Sequence, residues 1–428
     1  MGSIEVELSR GALPSAELRE RLGISGPTLM RLVRERRDVV RFGRARATRY
    51  ALRQTWPNLD TSRFPLFRIT ETGRPETAGH LCTLAARQTV RTPDGRLFEG
   101  LPVELSDGRP SGFLGRHFAT QHPDLRLPAR LTDWSDHHVL LAISRRGEDV
   151  PSNLIVGDEA FSRWQALRPE NYSRADYPQL AEATMAGHPP GSSAGGERPK
   201  FGVLNDGRHL LVKFAARAGD SVARRWCDLL VLESLALGVV STRGTTSART
   251  DIVETTSHCF LESERFDRVG VRGRVAVLSL AAAHDDPTEN WARAGVRLRE
   301  AGRLSDDDAR RLCWLDAFGA LIANSDRHHY NVLFFTSGGR LTLAPAFDQV
   351  SMQYAPSADG QVQSRVMPLP HQTADTLDVW DDAYSAACEF WLQAANDSRL
   401  SEDMRQVCRA NLNALRNADS APVVVKAM

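Results

Sequence analysis

Hydrophobic and polar positions divide the chain into three segments. In the first, up to about Gln54, Leu18 and Leu22 form a helical stripe behind the start signals Pro14 and Ser15. A short turn at Gly23-Ile24-Ser25 follows. Ser25 then caps a second helix that carries Pro27 in its first turn and turns Leu29, Leu32 and Val33 inward. Residues 39–52 alternate around Gly43 and predict a hairpin. Helix, turn, helix and a basic hairpin make the order of a winged helix-turn-helix, so residues 1–56 are expected to be a DNA-binding domain.

The second segment, placed at residues 60–180, reads as mixed and mostly β. Its candidate strands include Leu66-Phe67-Arg68-Ile69 and Val139-Leu140-Leu141-Ala142-Ile143. Pro93-Asp94-Gly95 and Asp107-Gly108-Arg109-Pro110 punctuate it as turns, and Gly112-Phe113-Leu114-Gly115-Arg116 reads as a strand-to-helix junction. The third segment, residues 185–428, opens in small residues and continues with strands at Gly202–Leu204 and Leu210–Phe214 across an Asn205-Asp206-Gly207 turn. A long apolar helix is predicted from about Arg224 to Gly238, then strands near Ile252 and Phe260. Ser305 followed by three aspartates starts a helix whose inward face holds Leu312, Leu315, Phe318, Leu321 and Ile322. That helix stops at a loop around Asp326. An apolar hairpin from Val332 to Leu343 returns the chain to Asp348, and the tail from Leu377 is helical again, with a fresh start at Ser401. A strand-rich lobe followed by a helical lobe makes the expected class α+β.

Composition changes this picture little. The chain has 428 residues and a formal net charge of +1, long enough for two or three domains and too neutral to be a polyelectrolyte. The charge is uneven: the first fifty or so residues carry about twice as many arginines as acids. The six cysteines form no CxxC pair and have no histidine at zinc-finger spacing, which fits buried thiols in a reducing compartment. Met1 to Glu5 lack a secretory pattern and no apolar run nears membrane-spanning length. The expectation is a soluble cytoplasmic protein with no membrane partner.

Five constellations carry chemistry. The first is Asn324-Ser325-Asp326-Arg327-His328-His329-Tyr330-Asn331 with Phe347-Asp348 downstream. Protein kinases space a catalytic Asp and a metal-binding Asn as Asp326 and Asn331 are spaced, and deliver a second metal-binding Asp from just beyond a strand, as Asp348 would be. An isolated Asp-x4-Asn is common; here it sits between a capped amphipathic helix and an apolar hairpin. The second is Lys213, flanked by apolar strand residues where a phosphate-binding lysine is needed. The third is Gly195-Gly196-Glu197-Arg198-Pro199-Lys200, small residues that let backbone N–H groups approach phosphate; alone it reads as a linker. The fourth is Glu264-Arg265-Phe266, where a kinase chain crosses between lobes. The fifth is the arginine set Arg31, Arg34, Arg36, Arg37, Arg41, Arg44, Arg46, Arg49 and Arg53, of which Arg31, Arg34, Arg41, Arg44, Arg46 and Arg49 are placed to reach a DNA groove and its phosphates.

Taken in order, these motifs resemble the HipA family of bacterial serine/threonine kinases, toxins of toxin–antitoxin modules, over roughly residues 63–395. The N-terminal segment resembles the YjjJ (HipH) subgroup, which carries its own DNA-binding module. The resemblance implies a two-lobed kinase-like fold that uses ATP and Mg²⁺. Asp326 is then the catalytic base, Asn331 and Asp348 bind the metal, and Lys213 contacts phosphates. Gly195 to Lys200 form the phosphate loop, Glu264 to Phe266 the adenine-side hinge, and His328 and Phe347 line the nucleotide site. Ser193 falls at the family's autophosphorylated serine. The implied partners are a protein substrate (aminoacyl-tRNA synthetases in the family), DNA and a separate antitoxin. Two other readings stay open on the residues alone: a transcriptional regulator whose kinase-like body senses nucleotide, and a metal-dependent nuclease.

Overall fold

The computed structural model describes residues 3–110, 115, 117–168, 170–186, 199–217 and 219–419. The chain divides between Arg168 and Pro169 into two units. Of the sequence motifs, residues 112–114, 116 and 187–198 lie outside the described residues, and with them Ser193 and Gly195 to Arg198.

The first unit opens with helix α1 (Ile4–Leu8), strand β1 (Leu13–Pro14) and helices α2 (Ser15–Leu22) and α3 (Gly26–Arg34). Gly23, left-handed at φ 66°, ends α2. Ser25 then caps α3, its hydroxyl accepting from the Thr28 N–H. Strands β2 (Val39–Phe42) and β3 (Arg49–Leu52) follow, and the sheet order is β1-β3-β2. Leu8, Leu18, Leu22, Leu29, Val39 and Tyr50 fill the core between helices and sheet. The alternation expected through residues 39–52 is interrupted. Ala45–Ala47 form a 3-10 turn, so Arg44 and Arg46 sit at the tip and only Arg41 and Arg49 lie on strands. The turn needs Gly43, because a Cβ there would lie 2.2 Å from the Ala47 carbonyl oxygen.

Five antiparallel strands follow: β4 (Arg63–Ile69), β5 (Pro75–Thr83), β6 (Gln88–Thr92), β7 (Arg96–Glu99) and β8 (Leu154–Val156), in the order β7-β6-β5-β4-β8. The segment Val139–Ile143, read from sequence as a strand, is instead the middle of helix α4 (Asp136–Arg146). Its residues from Val139 to Ser144 are all buried, so neither a period of two nor of 3.6 shows in the apolar pattern. The start signal decides: Ser135 caps the helix, and its backbone N–H donates to His138 Nδ1. Helix α5 (Asp158–Ala166) ends the unit.

The second unit starts earlier than the sequence pattern places it. Helix α6 (Tyr177–Ala186) packs Tyr177 against Phe201, Val212 and Phe260 of this unit, and the Tyr177 hydroxyl donates to Glu262 Oε1 at 2.7 Å. Residues 170–180 therefore belong here rather than with the preceding β-rich segment. Strands β9 (Lys200–Asn205) and β10 (Arg208–Ala216) pair across the expected Asn205-Asp206-Gly207 turn. Helix α7 (Ser221–Thr242) comes next, then β11 (Thr250–Glu254) and β12 (His258–Glu264). The sheet order β11-β12-β10-β9 makes β10 and β12 central. Alternate residues of the sheet face α6 on one side (Val212, Phe214, Phe260) and α7 on the other (Cys259, Leu261 against Leu230).

A short pair, β13 (Arg268–Val269) and β14 (Gly273–Arg274), leads to strand β15 (Val277–Ser279), which joins β16 (Leu333–Ser337) and β17 (Arg340–Leu343) in one antiparallel sheet. Helices α8 (Trp291–Glu300), α9 (Asp306–Leu321), α10 (Trp380–Asn396) and α11 (Glu402–Asp419) build the helical part around the largest core of the chain. Ser305 caps α9 as expected, accepting from the Asp308 N–H. All six cysteines are free thiols.

Trp391 of α10 is wholly buried, and its Nε1 donates to the Leu321 carbonyl at 3.1 Å, where α9 ends. Truncating it removes both a large apolar volume and a partner of that carbonyl. Trp391→Ala is expected to cost about 3–5 kcal/mol in unfolding of this unit and Trp391→Phe clearly less. Denaturant unfolding checks this, and a loss below about 1 kcal/mol for the alanine variant would contradict the packing role.

Candidate active site

Lys213 is the sixth residue of β10. Leu210, Val212 and Phe214 pack with the aromatic cluster under α6, so the alternation turns Lys213 toward α7. There its Nζ donates to both carboxylate oxygens of Glu233, at 2.6 and 2.9 Å, and to Asp348 Oδ1 at 2.7 Å. Lys213 and Glu233 are almost completely buried, and Asp348 is partly exposed. An ammonium in such a place is tolerable because carboxylates replace its water. Lys200 stands directly opposite Lys213 in the β9–β10 register, which puts both lysines on the same face of the sheet. The chain holds only three lysines (Lys200, Lys213 and Lys426) among 54 basic residues. Two of the three meet here, in a protein that uses arginine almost everywhere else.

Asp348 arrives from β17 through a short extended stretch. The Ala346 N–H donates to the Thr246 carbonyl, and the Ala346 carbonyl accepts from the Ala248 N–H, each at 2.8 Å. This ties the approach to the segment behind α7. Asp348 itself is left-handed at φ 54°, a strained setting for a residue with a Cβ. Phe347, next to it, lies 5.9 Å from the Phe266 ring, and Phe266 meets Phe335 edge-on at the same separation. The Glu264-Arg265-Phe266 segment thus touches the Asp348 approach through its phenylalanine. The other two residues are engaged elsewhere: the Glu264 N–H donates to the Arg249 carbonyl, the Arg265 N–H to the His209 carbonyl, and the Arg265 guanidinium binds Asp267.

The loop after α9 is shaped by its own side chains. Ala323 turns left-handed at φ 60°. The Asn324 side chain, fully buried, accepts from the Asp326 N–H at 3.0 Å. Asn331 Nδ2 donates back to the Asp326 carbonyl at 2.9 Å and closes the loop. Arg327 reaches under it, donating to the Asn324 carbonyl and, at 3.0 Å, to Asp316 Oδ1 of α9. Burial pushes the Asp316 carboxyl up, opposed by that guanidinium. Gly319 leaves the room Arg327 needs, since a Cβ there would lie 2.7 Å from Arg327 Cδ. The His328 carbonyl accepts from Trp291 Nε1 at 3.2 Å, and His329 Nε2 donates to the Glu289 carbonyl at 2.7 Å. The Asp326 carboxylate is left partly exposed, 3.8 Å from His328 Nε2. Asn324 Nδ2 meets Gln349 Oε1 at 3.5 Å, and the Gln353 N–H donates to the Ala323 carbonyl at 3.1 Å. The loop and the Asp348 segment are therefore held to each other.

The structure thus joins Lys213 to Asp348, Asp326 to Asn331 and Phe266 to Phe347. Pro199 and Lys200 are the described part of the glycine-rich motif, and the Pro199 carbonyl accepts from the Phe214 N–H at 3.2 Å. Glu233 was missed by sequence reading. Its one signal is an isolated acid at the end of Leu229-Leu230-Val231-Leu232, a run that otherwise reads as pure core. Among the described residues, no group of three or more His, Cys, Asp or Glu side chains is placed to hold a metal ion by itself.

In the first unit, Arg31 and Arg34 on α3, and Arg41, Arg44, Arg46 and Arg49 on the hairpin, are all exposed. None of these six forms an ion pair among the described residues, whereas Arg21 binds Glu17 at 2.5 Å and Arg36 binds Asp38 at 2.6 Å.

Comparison with known proteins places this architecture. A family model described as "HipA-like C-terminal domain" matches residues 192–417, and the chain belongs to the HipA family of toxins. Within it the chain is YjjJ-like. A model described as "YjjJ-like toxin, middle domain" matches residues 60–165, and the chain is 34% identical over 423 residues to Toxin YjjJ of Escherichia coli (strain K12), covering 94% of each. Among solved structures it is similar in fold to a chain of the HipA, HipB and operator DNA complex of Shewanella oneidensis MR-1. The TM-score is 0.55 and the identity 15%, covering 82% of this chain and 95% of that one. The Helicobacter pylori proinflammatory kinase CtkA is more distant, with a TM-score of 0.36 and 12% identity over 51% of this chain and 90% of that one. No helix among the described residues is long and apolar enough to cross a membrane.

Removing Glu233 leaves the buried Lys213 ammonium with one carboxylate fewer. Glu233→Ala is expected to cost about 3–5 kcal/mol, while the double replacement Lys213→Met with Glu233→Leu, which removes both charges, should cost much less. Denaturant unfolding of the three proteins checks this. Equal losses in the single and double variants would contradict the pairing.

Proposed function

We propose that this chain is an ATP- and Mg²⁺-dependent serine/threonine protein kinase of the HipA type that also binds DNA through its N-terminal elements. The observation that carries the kinase reading is Lys213 held between Glu233 and Asp348. Kinases require a strand lysine paired with a helix glutamate and set beside a metal-binding aspartate. The loop from Asp326 to Asn331 supplies the remaining parts.

The roles follow from the atoms. The Asp326 carboxylate, partly exposed on the loop, takes the proton of the acceptor serine or threonine hydroxyl. Lys213, with Lys200 on the same sheet face, orients and neutralises phosphate oxygens. Asn331 spends its Nδ2 on the Asp326 carbonyl, which leaves Oδ1 to face a cation, and Asp348 offers a carboxylate. Two such hard oxygen ligands fit Mg²⁺, which usually takes one or two carboxylates and completes its shell with water and phosphate oxygens. The metal supplies charge neutralisation on the transferring phosphate. Phe266 and Phe347 provide an apolar wall for the nucleotide. Neither a regulator that only senses nucleotide nor a nuclease requires the whole set.

The DNA reading rests on the six exposed arginines that have no carboxylate partner among the described residues, presented by a helix and a hairpin in winged-helix order. The Shewanella HipA structure is of a complex with HipB and operator DNA, which supports DNA and an antitoxin as partners here. A protein hydroxyl is the proposed phosphate acceptor, with Ser193 the internal one.

Asp326→Ala is expected to lower phosphate incorporation from ATP and Mg²⁺ by two orders of magnitude or more while leaving the unfolding transition in place, and Asp348→Ala should abolish transfer. Intact-mass analysis with phosphosite mapping around Ser193 checks both, and unchanged incorporation in either variant would refute the assignment. Duplex DNA affinity of the full chain is expected to fall with salt with a log–log slope of about −3 to −5. Replacing Arg34 or Arg44 with alanine should flatten that slope by about one; a salt-independent affinity would contradict the DNA reading.

A further inference from the structure

We infer that the DNA surface does not stop at the hairpin: the β6–β7 turn of the middle domain forms, with the hairpin, a cleft that takes a backbone phosphate of duplex DNA. This inference rests on the DNA reading above and extends it to a second domain.

The first ground is that the two parts are one body. Phe42 and Ala51 of the hairpin share a core with Cys82, Leu84 and Val90 of the middle sheet. The Ala12 N–H donates to Gln88 Oε1 at 2.8 Å, the Gln54 N–H to the Thr83 carbonyl at 3.1 Å, and Arg53 bridges to Leu84. A hairpin carried on a shared core cannot sway independently of the turn beside it. The turns also meet backbone to backbone. Gly43 and Gly95 are both left-handed, and a Cβ on Gly95 would lie 2.9 Å from the Gly43 nitrogen.

The second ground is the cleft itself, about 720 Å³. Arg41, Arg44 and Arg49 line one wall, and Pro93, Asp94 and Gly95 the other. The three arginines are exposed and have no ion-pair partner among the described residues. Asp94 is the one acid on the lining, and its charge is engaged. Its Oδ2 accepts from Arg91 Nε at 2.9 Å and Nη2 at 2.7 Å, and its Oδ1 from the Arg96 N–H at 3.2 Å. The cleft therefore presents a net positive wall of arginines to an anion. Guanidinium forks match phosphate oxygens, and a cleft continuous with a DNA-reading hairpin meets the strand backbone.

The residue that separates this inference from the hairpin reading is Asp94, which belongs to the turn alone. Replacing it with lysine puts a cation where a phosphate would lie. The experiment measures affinity of the full chain for a labelled duplex of about 25 base pairs, of mixed sequence, across a salt series. The proteins are wild type, Asp94→Lys, Asp133→Lys and Arg44→Glu. Asp133 is exposed in the same unit but is not part of the cleft lining, so its variant carries the same change in net charge. The inference expects Asp94→Lys to bind tenfold or more tighter than Asp133→Lys at low salt, with a salt slope steeper by about one. A variant that retains the wild-type unfolding transition but binds like Asp133→Lys overturns it. Binding to a duplex RNA of equal length that is tighter than to DNA also overturns it. Failure of the underlying reading looks different: wild type then shows no salt-dependent binding, or Arg44→Glu binds as well as wild type.

Discussion

The Lys213 ammonium is the point at which three parts of the second unit meet. Its strand is central in the four-stranded sheet, Glu233 lies on the long helix that covers that sheet, and Asp348 follows the distant hairpin of β16 and β17. No single pair among these would hold a buried charge well, since removing any ion from water costs several kcal/mol. Both oxygens of one carboxylate and one of a second converge on the same nitrogen, so the position of each element is tied to the other two. The left-handed backbone of Asp348 fits this arrangement: strain at one residue is tolerated where the surroundings over-determine it.

The second half of the site is ordered mostly by neutral hydrogen bonds, with one charged pair beneath the loop. Asn324 and Asn331 fold the loop on itself from opposite ends, Arg327 anchors it to Asp316 of α9, and Trp291 and Glu289 hold its far side. The Asp326 carboxylate stays partly exposed on this scaffold, beside the exposed His328. A base that must accept a proton from a large acceptor needs such exposure, whereas a lysine that must grip phosphates gains from burial, which strengthens its field. The two environments differ in the way the two proposed tasks require.

Much of this was legible in the residues. The order of motifs assigned Lys213 and Asp348 to one site although they lie 135 positions apart, and their direct ion pair is what the structure adds. Ser25 and Ser305 announced their helices through capping. Other features left no local trace. The run from Val139 to Ile143 is buried on all sides, and a short apolar stretch without a polar face does not tell a strand from a helix. Glu233 is hidden in a leucine-rich run, since its partner is supplied by tertiary packing. The unit boundary near Arg168 was set late because Tyr177 reads like any core aromatic. The scarcity of lysine is a usable signal: two of the three lysines in an arginine-rich chain stand opposite each other in one strand pair.

The central claim is that Lys213 and Lys200 face a nucleotide triphosphate, and lysine-directed labelling tests it most directly. An acyl-phosphate derivative of ATP delivers its acyl group to an amine lying against the phosphates, and with three lysines in the chain the sites are separable by peptide mass mapping. The account expects acylation at Lys213 or Lys200, suppressed by excess ATP with Mg²⁺ and absent at Lys426. Labelling confined to Lys426, or labelling of the pair that excess ATP leaves unchanged, would contradict it.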